Sequence, residues 1–185
     1  TGGYSSQKNN SMDAFESPLE KDYFLLLDFD DTVDSFEPQP VNIPVPGVTR
    51  GYVPDVLVRY KPDLRTGQVP KSTLVEVKHT DDLARNVDKY AHKFECARLF
   101  AEMQGWEFKI VDQNEIRTPR LQNLKFLREF RNVVPLTFDI RTIYDCLDSE
   151  PQTHEAILDK VANNVDDKLG PVNTNREVHP PLGQS

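Results

Sequence analysis

Two apolar runs, "VPDVLVRY" beginning at Val53 and "STLVEVK" beginning at Ser72, carry charge where core strands normally carry none. Asp55 lies in the first, and Glu76 and Lys78 lie in the second. Carboxylates at strand margins suit divalent cations. Mg2+ takes oxygen ligands, typically one or two carboxylates together with substrate phosphate and waters. Such an ion generates hydroxide from water and absorbs charge on a leaving oxygen, which is what hydrolysis of a phosphodiester requires. Glu76 and Lys78 are two residues apart, so on a strand they project to one face while Val75 and Val77 point to the other. A hairpin brings Asp55 beside them. The backbone carbonyl of Val77 offers a further oxygen. Lys78 is placed to orient or help deprotonate an attacking water, or to neutralise a pentacovalent phosphate. Glu20, farther toward the N-terminus, could complete a second metal position.

The elements that must hold these groups can be read around them. "ESPLEKDYFLLLD" has an N-cap serine at Ser17, a proline at the first helical position and an acid at Glu20 with capping-box spacing, so a helix is predicted over 18–28. On it Glu20 shares a face with Phe24 and Leu27 and borders the buried stripe. The following extended segment holds Pro38, Pro40, Pro44 and Pro46, which suit a sheet edge or a bend. The two charged runs are joined by the turn-rich "KPDLRTGQVPK" and read as a hairpin with a long loop. Thr80 can cap a helix running to Gln104, with Leu83, Val87, Tyr90, Phe94, Ala97 and Ala101 on its inner face. Gly105 stops it. "WEFKIVD" alternates Trp106, Phe108 and Ile110 on one side of a strand. This order of elements predicts an α/β domain with a mixed sheet. Residues 1–13 are polar and read as a flexible arm that orders on a partner. No internal repeat and no glycine-rich phosphate loop is present.

Composition bounds the classes. With 185 residues, 37% hydrophobic and 28% charged, the chain fits one ordinary domain with a small appendage. No apolar run reaches the roughly 18 residues of a membrane span, and no basic-then-apolar leader precedes the domain, so the chain reads as intracellular. Cys96 and Cys146 read as free thiols in a reducing compartment. The net charge of −8 argues against nucleic acid at first sight, but it is unevenly spread. Between Asp145 and Asp167 seven acids face one base, whereas the segment from Glu115 to Arg131 holds Arg117, Arg120, Lys125, Arg128 and Arg131 against two acids. Bound metal cations would also attract the phosphates that a carboxylate cluster repels.

Every one of these residues has a plainer reading. Glu20 could only complete a capping box; Asp55 could be a loop acid after a proline. Glu76 and Lys78 could be the solvated face of an edge strand, guarding against aggregation. His79 should face away from the pair, which suits a surface or helix-entry histidine. The basic run could be a solvated helix face or a surface for DNA or a partner.

Taken together, Glu20, "PD" at Pro54 and Asp55, and "EVK" from Glu76 to Lys78 resemble the PD-(D/E)xK pattern of type II restriction enzymes. The flanks "ESPLEKDYFLLLDFDDTVDSFEPQP" and "GWEFKIVDQNEIRTPRLQNLKFLREFR" resemble the TnsA endonuclease subunit of heteromeric transposases, over about Tyr4 to Arg131. The resemblance implies a restriction-endonuclease-like mixed β-sheet flanked by helices, with Glu20, Asp55, Glu76 and Lys78 as the active site. Glu20, Asp55, Glu76 and the Val77 carbonyl are then the metal ligands, and Mg2+ is the expected cofactor, with Mn2+ as a substitute. Some relatives carry glutamine at the position of Glu76. The implied activity is cleavage of the 5′ ends of a transposon, the non-transferred strands. The implied partners are transposon-end DNA, a DDE transposase subunit (TnsB-like) and an AAA+ ATPase regulator (TnsC-like), in a bacterial cytoplasm. The division expected is a nuclease domain over 1–134 and a small helical region over 135–185. Family members finish in a winged-helix-like domain; here "DIRTIYDCLDS" and "QTHEAILDKVAN" offer two short helices and then a tail, a partner-binding or incomplete winged-helix-like region. Two other classes remain open: a catalytically silent docking module, and a stand-alone nuclease of restriction or repair type.

Overall fold

A computed structural model describes residues 1–9, 12–134, 136–150 and 152–169, with the backbone alone for 138 and 165–169. The tail expected after the last helix lies largely outside the described residues. The chain divides after Arg131 into two compact units.

In the first unit, β1 (Gly2–Ser5) pairs antiparallel with β2 (Met12–Phe15), and α1 (Pro18–Asp28) follows. The predicted helix and the observed one coincide. Ser17 accepts a hydrogen bond from the Glu20 amide at 3.1 Å, satisfying one of the orphan donors of the first turn. The chain continues through β3 (Val33–Pro38), β4 (Ile43–Val45), β5 (Val48–Tyr52), β6 (Val56–Tyr60) and β7 (Thr73–Val77) to α2 (Thr80–Arg85) and α3 (Val87–Met103). It closes with β8 (Glu107–Val111), α4 (Gln113–Ile116) and α5 (Pro119–Glu129). The main sheet has the order β3-β6-β7-β8, antiparallel except for the parallel pair β7 and β8. The strand β3, which ends in Pro38, is an edge, where a proline is tolerated. A separate hairpin, β4 with β5, was not legible.

Period-two alternation divides the core between the two faces of the sheet. Val56, Val58, Val75, Val77 and Val111 pack with Phe24, Leu25 and Leu27 of α1 and with Leu121 and Leu124 of α5. Leu57 and Leu74 pack on the other side with Phe94, Ala97 and Ala101 of α3 and with Ile43 and Tyr52 of the small hairpin. The single helix expected from Thr80 is broken at Asn86 (φ −123°, ψ 30°). There the Asn86 side chain donates to the Asp82 carbonyl at 3.2 Å and to its Oδ1 at 2.7 Å, competing with the helical ladder. Val87, at the break, is exposed, while Leu83 before it and Tyr90 after it both pack against the core as the stripe predicts. Thr80 does not cap α2, for its hydroxyl accepts from Gln113 Nε2 at 2.7 Å. Gly105 ends α3 at φ +73°.

The polar N-terminal segment is not the flexible arm its composition suggests. Its polar groups satisfy a buried carboxylate. Asp28, fully enclosed at the end of α1, accepts from Tyr4 Oη at 3.1 Å, Ser6 Oγ at 3.0 Å and the Gln7 amide at 3.2 Å, and it pairs with Arg131 beyond α5. Arg131 also donates to the Asp28 carbonyl at 2.8 Å and lies over the Phe29 ring. Asn9 reaches Asp13 and donates to the Phe36 carbonyl of β3. Composition misleads here because polar residues that read as solvated are the ligands of a buried ion.

In the second unit, α6 (Thr137–Cys146) and α7 (His154–Leu169) pack against each other, with Thr142 and Cys146 buried. Among the described residues no helix is long and apolar enough to cross a membrane.

Removing the Asp28 carboxylate strands Arg131 and two hydroxyls at once. Asp28→Ala should lower unfolding stability in urea by about 3–5 kcal/mol and expose the amides of residues 1–9 to hydrogen exchange. A change below about 1 kcal/mol would mean that packing of Tyr4 alone holds the segment.

Candidate active site

The register of the central hairpin builds the site. Val56 stands opposite Val75 and Leu57 opposite Leu74, so one further step places Asp55, just before β6, opposite Glu76. Two carboxylates meet across the strands, an arrangement that like charges disfavour. β7 is an interior strand with neighbours on both sides, and Glu76 is 3% exposed. The reading of Glu76 and Lys78 as a solvated edge face therefore fails.

Two groups compensate the pair. The Val77 amide donates to Asp55 Oδ2 at 2.7 Å. Lys78 Nζ stands 2.8 Å from Glu76 Oε1 and 3.6 Å from Asp55 Oδ2, and it donates to the Val77 carbonyl at 3.4 Å. Burial, with the charge of Glu76 second, raises the Asp55 pKa from 3.8 to about 7, although Lys78 and the Val77 amide pull it down. Burial alone would lower the pKa of Lys78, yet the two carboxylates outweigh it and hold the ammonium above its ordinary value. A lysine so held is a cation. In this arrangement it is not poised as the base that could deprotonate water.

The ammonium sits among three oxygens, one each from Asp55, Glu76 and the Val77 backbone, which are three of the groups expected to ligate Mg2+. The donor set fits a hard divalent cation in kind, being all oxygen with two carboxylates. Glu20 is not gathered with them. Its Oε2 accepts from the Glu16 amide at 2.8 Å, so its carboxylate reaches past the N-cap instead of closing a capping box with Ser17. It lies near enough for its charge to raise the Asp55 pKa. Among the described residues no three His, Cys, Asp or Glu side chains are placed to hold one metal ion.

Two contributors were missed. Tyr52, from β5, donates its phenol proton to Glu76 Oε2 at 2.6 Å. Burial, then the charge of Glu76, pushes that phenol far above its ordinary pKa, so it stays a donor. A tyrosine in a short strand reads as core, and only its place two residues before the Pro54–Asp55 pair could have flagged it. Gln39, the glutamine of the "QP" step, has φ 48°; its amide donates to the Asp55 carbonyl at 2.9 Å and its side chain to Glu16 Oε1 at 2.7 Å. It ties the start of α1 to the start of β6. Farther out, Tyr90 donates to Asp82 Oδ2 at 2.6 Å on the α2 and α3 side.

The basic run is largely engaged within its own unit. Arg117 and Lys125 pair with Asp22 of α1 at 3.1 and 2.7 Å and, with it, line a groove of about 440 Å3 between α1 and α5. Arg128 covers the Tyr4 ring, and Arg131 belongs to Asp28. Arg120 makes no ion pair among the described residues. A run of free phosphate-binding cations is thus not what the structure presents.

Among known proteins, residues 30–113 match the family described as TnsA-like endonuclease N terminal. No curated protein matches the chain. The matched segment is similar to that TnsA-like domain and contains all four strands of the main sheet with Tyr52, Asp55, Glu76 and Lys78. Glu20 and the Arg117–Arg131 run lie outside it.

The raised pKa of Asp55 has a defined sign in stability. The unfolded chain releases this proton near 3.8 and the native chain near 7, so the native state binds more protons between those values and loses stability as pH rises through them. The unfolding free energy from urea titrations in EDTA should fall from pH 4 to pH 8 by an amount on the order of 4 kcal/mol for this group, and Asp55→Asn, which keeps an acceptor for the Val77 amide, should flatten the curve. Parallel pH profiles for the two proteins would remove the like-charge account.

Proposed function

We propose that this chain, whose residues 30–113 form a TnsA-like endonuclease domain, is the Mg2+-dependent nuclease subunit of a Tn7-type transposase and hydrolyses the 5′ ends of the transposon, the non-transferred strands. The observation that carries this reading is the enclosure of one cation by Asp55, Glu76 and the Val77 carbonyl on an interior strand. A chain that needed only a core would not place two carboxylates opposite each other there.

Asp55, Glu76 and the Val77 carbonyl would hold the ion, which supplies an activated water and charge stabilisation at the leaving oxygen. Lys78 keeps a full positive charge beside them and neutralises charge on the scissile phosphate. The Val77 amide orients Asp55, and Gln39 holds the backbone on which Asp55 sits. Glu20 acts as a neighbouring charge; to serve as a ligand its carboxylate must first leave the Glu16 amide. Arg117, Arg120 and Lys125, all exposed, are the members of the basic run assigned to DNA or partner contact, while Arg128 and Arg131 serve the fold. The partners are transposon-end DNA, a DDE transposase subunit that cuts and joins the 3′ ends, and an AAA+ ATPase regulator.

Strand-resolved cleavage of an end substrate by the reconstituted complex tests this reading. Lys78→Ala should reduce 5′-strand cleavage by at least about 100-fold and leave 3′ cutting intact. Unchanged nicking of both strands would refute the assignment, and full activity without the transposase would move the chain to the stand-alone nucleases.

A further inference from the structure

We infer that Tyr52 is a positioning residue of this site: its phenol fixes the plane of the Glu76 carboxylate, holding Oε2 back and presenting Oε1 to the cation. The inference rests on the metal-dependent reading above and extends it to a residue outside the main sheet.

The geometry is specific. Tyr52 Oη lies 2.6 Å from Glu76 Oε2, while Glu76 Oε1 faces the ammonium at 2.8 Å. The two oxygens of one carboxylate therefore have separate duties. The terminal torsion of a glutamate is broad and roughly two-fold, so nothing in the strand itself selects that plane. A buried tyrosine hydroxyl needs a partner, and any backbone carbonyl would satisfy it. Here the partner is the buried carboxylate at the centre of the site.

The fold spends local strain and packing on placing this ring. Tyr52 ends β5 opposite Ile43 of β4, with Gly51 beside it at φ +67°. A Cβ on Gly51 would lie 2.2 Å from Asn42 Oδ1 and 2.7 Å from the Ile43 carbonyl, so only glycine lets the two strands approach at that point. The ring, 6% exposed, then packs against Phe94 of α3 at 6.2 Å between centroids, and Phe94 is itself held by Tyr90 and Phe108. The small hairpin and α3 thus act together as a clamp that, among the described residues, hydrogen-bonds Glu76 through the Tyr52 hydroxyl.

Partners that orient a metal-ligating carboxylate commonly cost ten- to a hundredfold in metal affinity when removed. The test is calorimetric titration of Mn2+ into the full chain, with a thermal melt of each protein. Wild type should bind, and Asp55→Ala should not. Tyr52→Phe keeps the ring and its packing, so it should melt near wild type yet bind Mn2+ about tenfold more weakly. Phe94→Leu loosens the same ring but keeps the hydroxyl; it should melt lower and lose less affinity than Tyr52→Phe. Wild-type affinity in Tyr52→Phe, or an equal loss in Phe94→Leu, would overturn the inference and leave the nuclease reading standing. Absence of Asp55-dependent binding in wild type would overturn both.

Discussion

The first unit is organised around an electrostatic conflict. Antiparallel pairing of β6 and β7 sets Asp55 opposite Glu76 in the sheet interior, and one ammonium, Lys78, reconciles them. Each feature of the surroundings follows from keeping that arrangement tolerable. The Val77 amide takes one carboxylate oxygen, Tyr52 takes another, and the aliphatic partners of the same strands, Val56, Val58, Val75 and Val77, anchor the sheet from the opposite face against α1. Buried charge of this kind is weak evidence for stability, because apolar replacements of similar volume often do as well or better. Its place in a central strand is what the proposed metal-dependent chemistry would require.

A second buried carboxylate serves the opposite purpose. Asp28 is surrounded by two neutral hydroxyls, two backbone amides and one guanidinium. Its neighbours hold it in a satisfied state, and it fastens the N-terminal hairpin, α1 and the end of α5 together. The contrast between the two sites is physical. Asp28 has its hydroxyl, amide and guanidinium donors to itself, whereas Asp55 shares its donors with Glu76 and is pushed toward protonation. Perturbation of that sort, inside a cluster with a specific charge partner, marks groups kept for function.

Much of this was legible because it depends on local spacing. Ser17, Pro18 and Glu20 fix the start of α1, and the step of two between Glu76 and Lys78 fixes their common face. The turn residues between Tyr60 and Ser72 set the hairpin. What escaped depends on contacts far apart in sequence. The role of Tyr52 exists only because β5 folds back onto β7, and the order of residues 1–9 exists only because Asp28 lies buried beneath them. Asn86 breaks a helix whose apolar period alone predicts continuity, because a side-chain amide outbids the backbone there. The sense in which Glu20 belongs to the site was likewise out of reach, since its rotamer is decided by the Glu16 amide.

The charges of α4 and α5 bear on how such a site would meet DNA. Salt-sensitive affinity for a duplex grows with the number of cations that neutralise phosphates, and here Arg128 and Arg131 are committed to aromatic rings and to Asp28, while Arg117 and Lys125 share Asp22. With a net charge of −8, the chain has little long-range field to draw a polyanion toward itself. Local attraction would come from a metal ion at the carboxylates, which is strong but short in reach. A nuclease built this way depends on being delivered to its phosphate, and a DNA-binding partner that places the strand end is the economical source of both affinity and sequence choice. The exposed faces of Arg117 and Lys125 then have a simpler task than recognition. On the proposed reading they would exchange one oxygen partner, Asp22, for another on the DNA backbone once the strand has arrived.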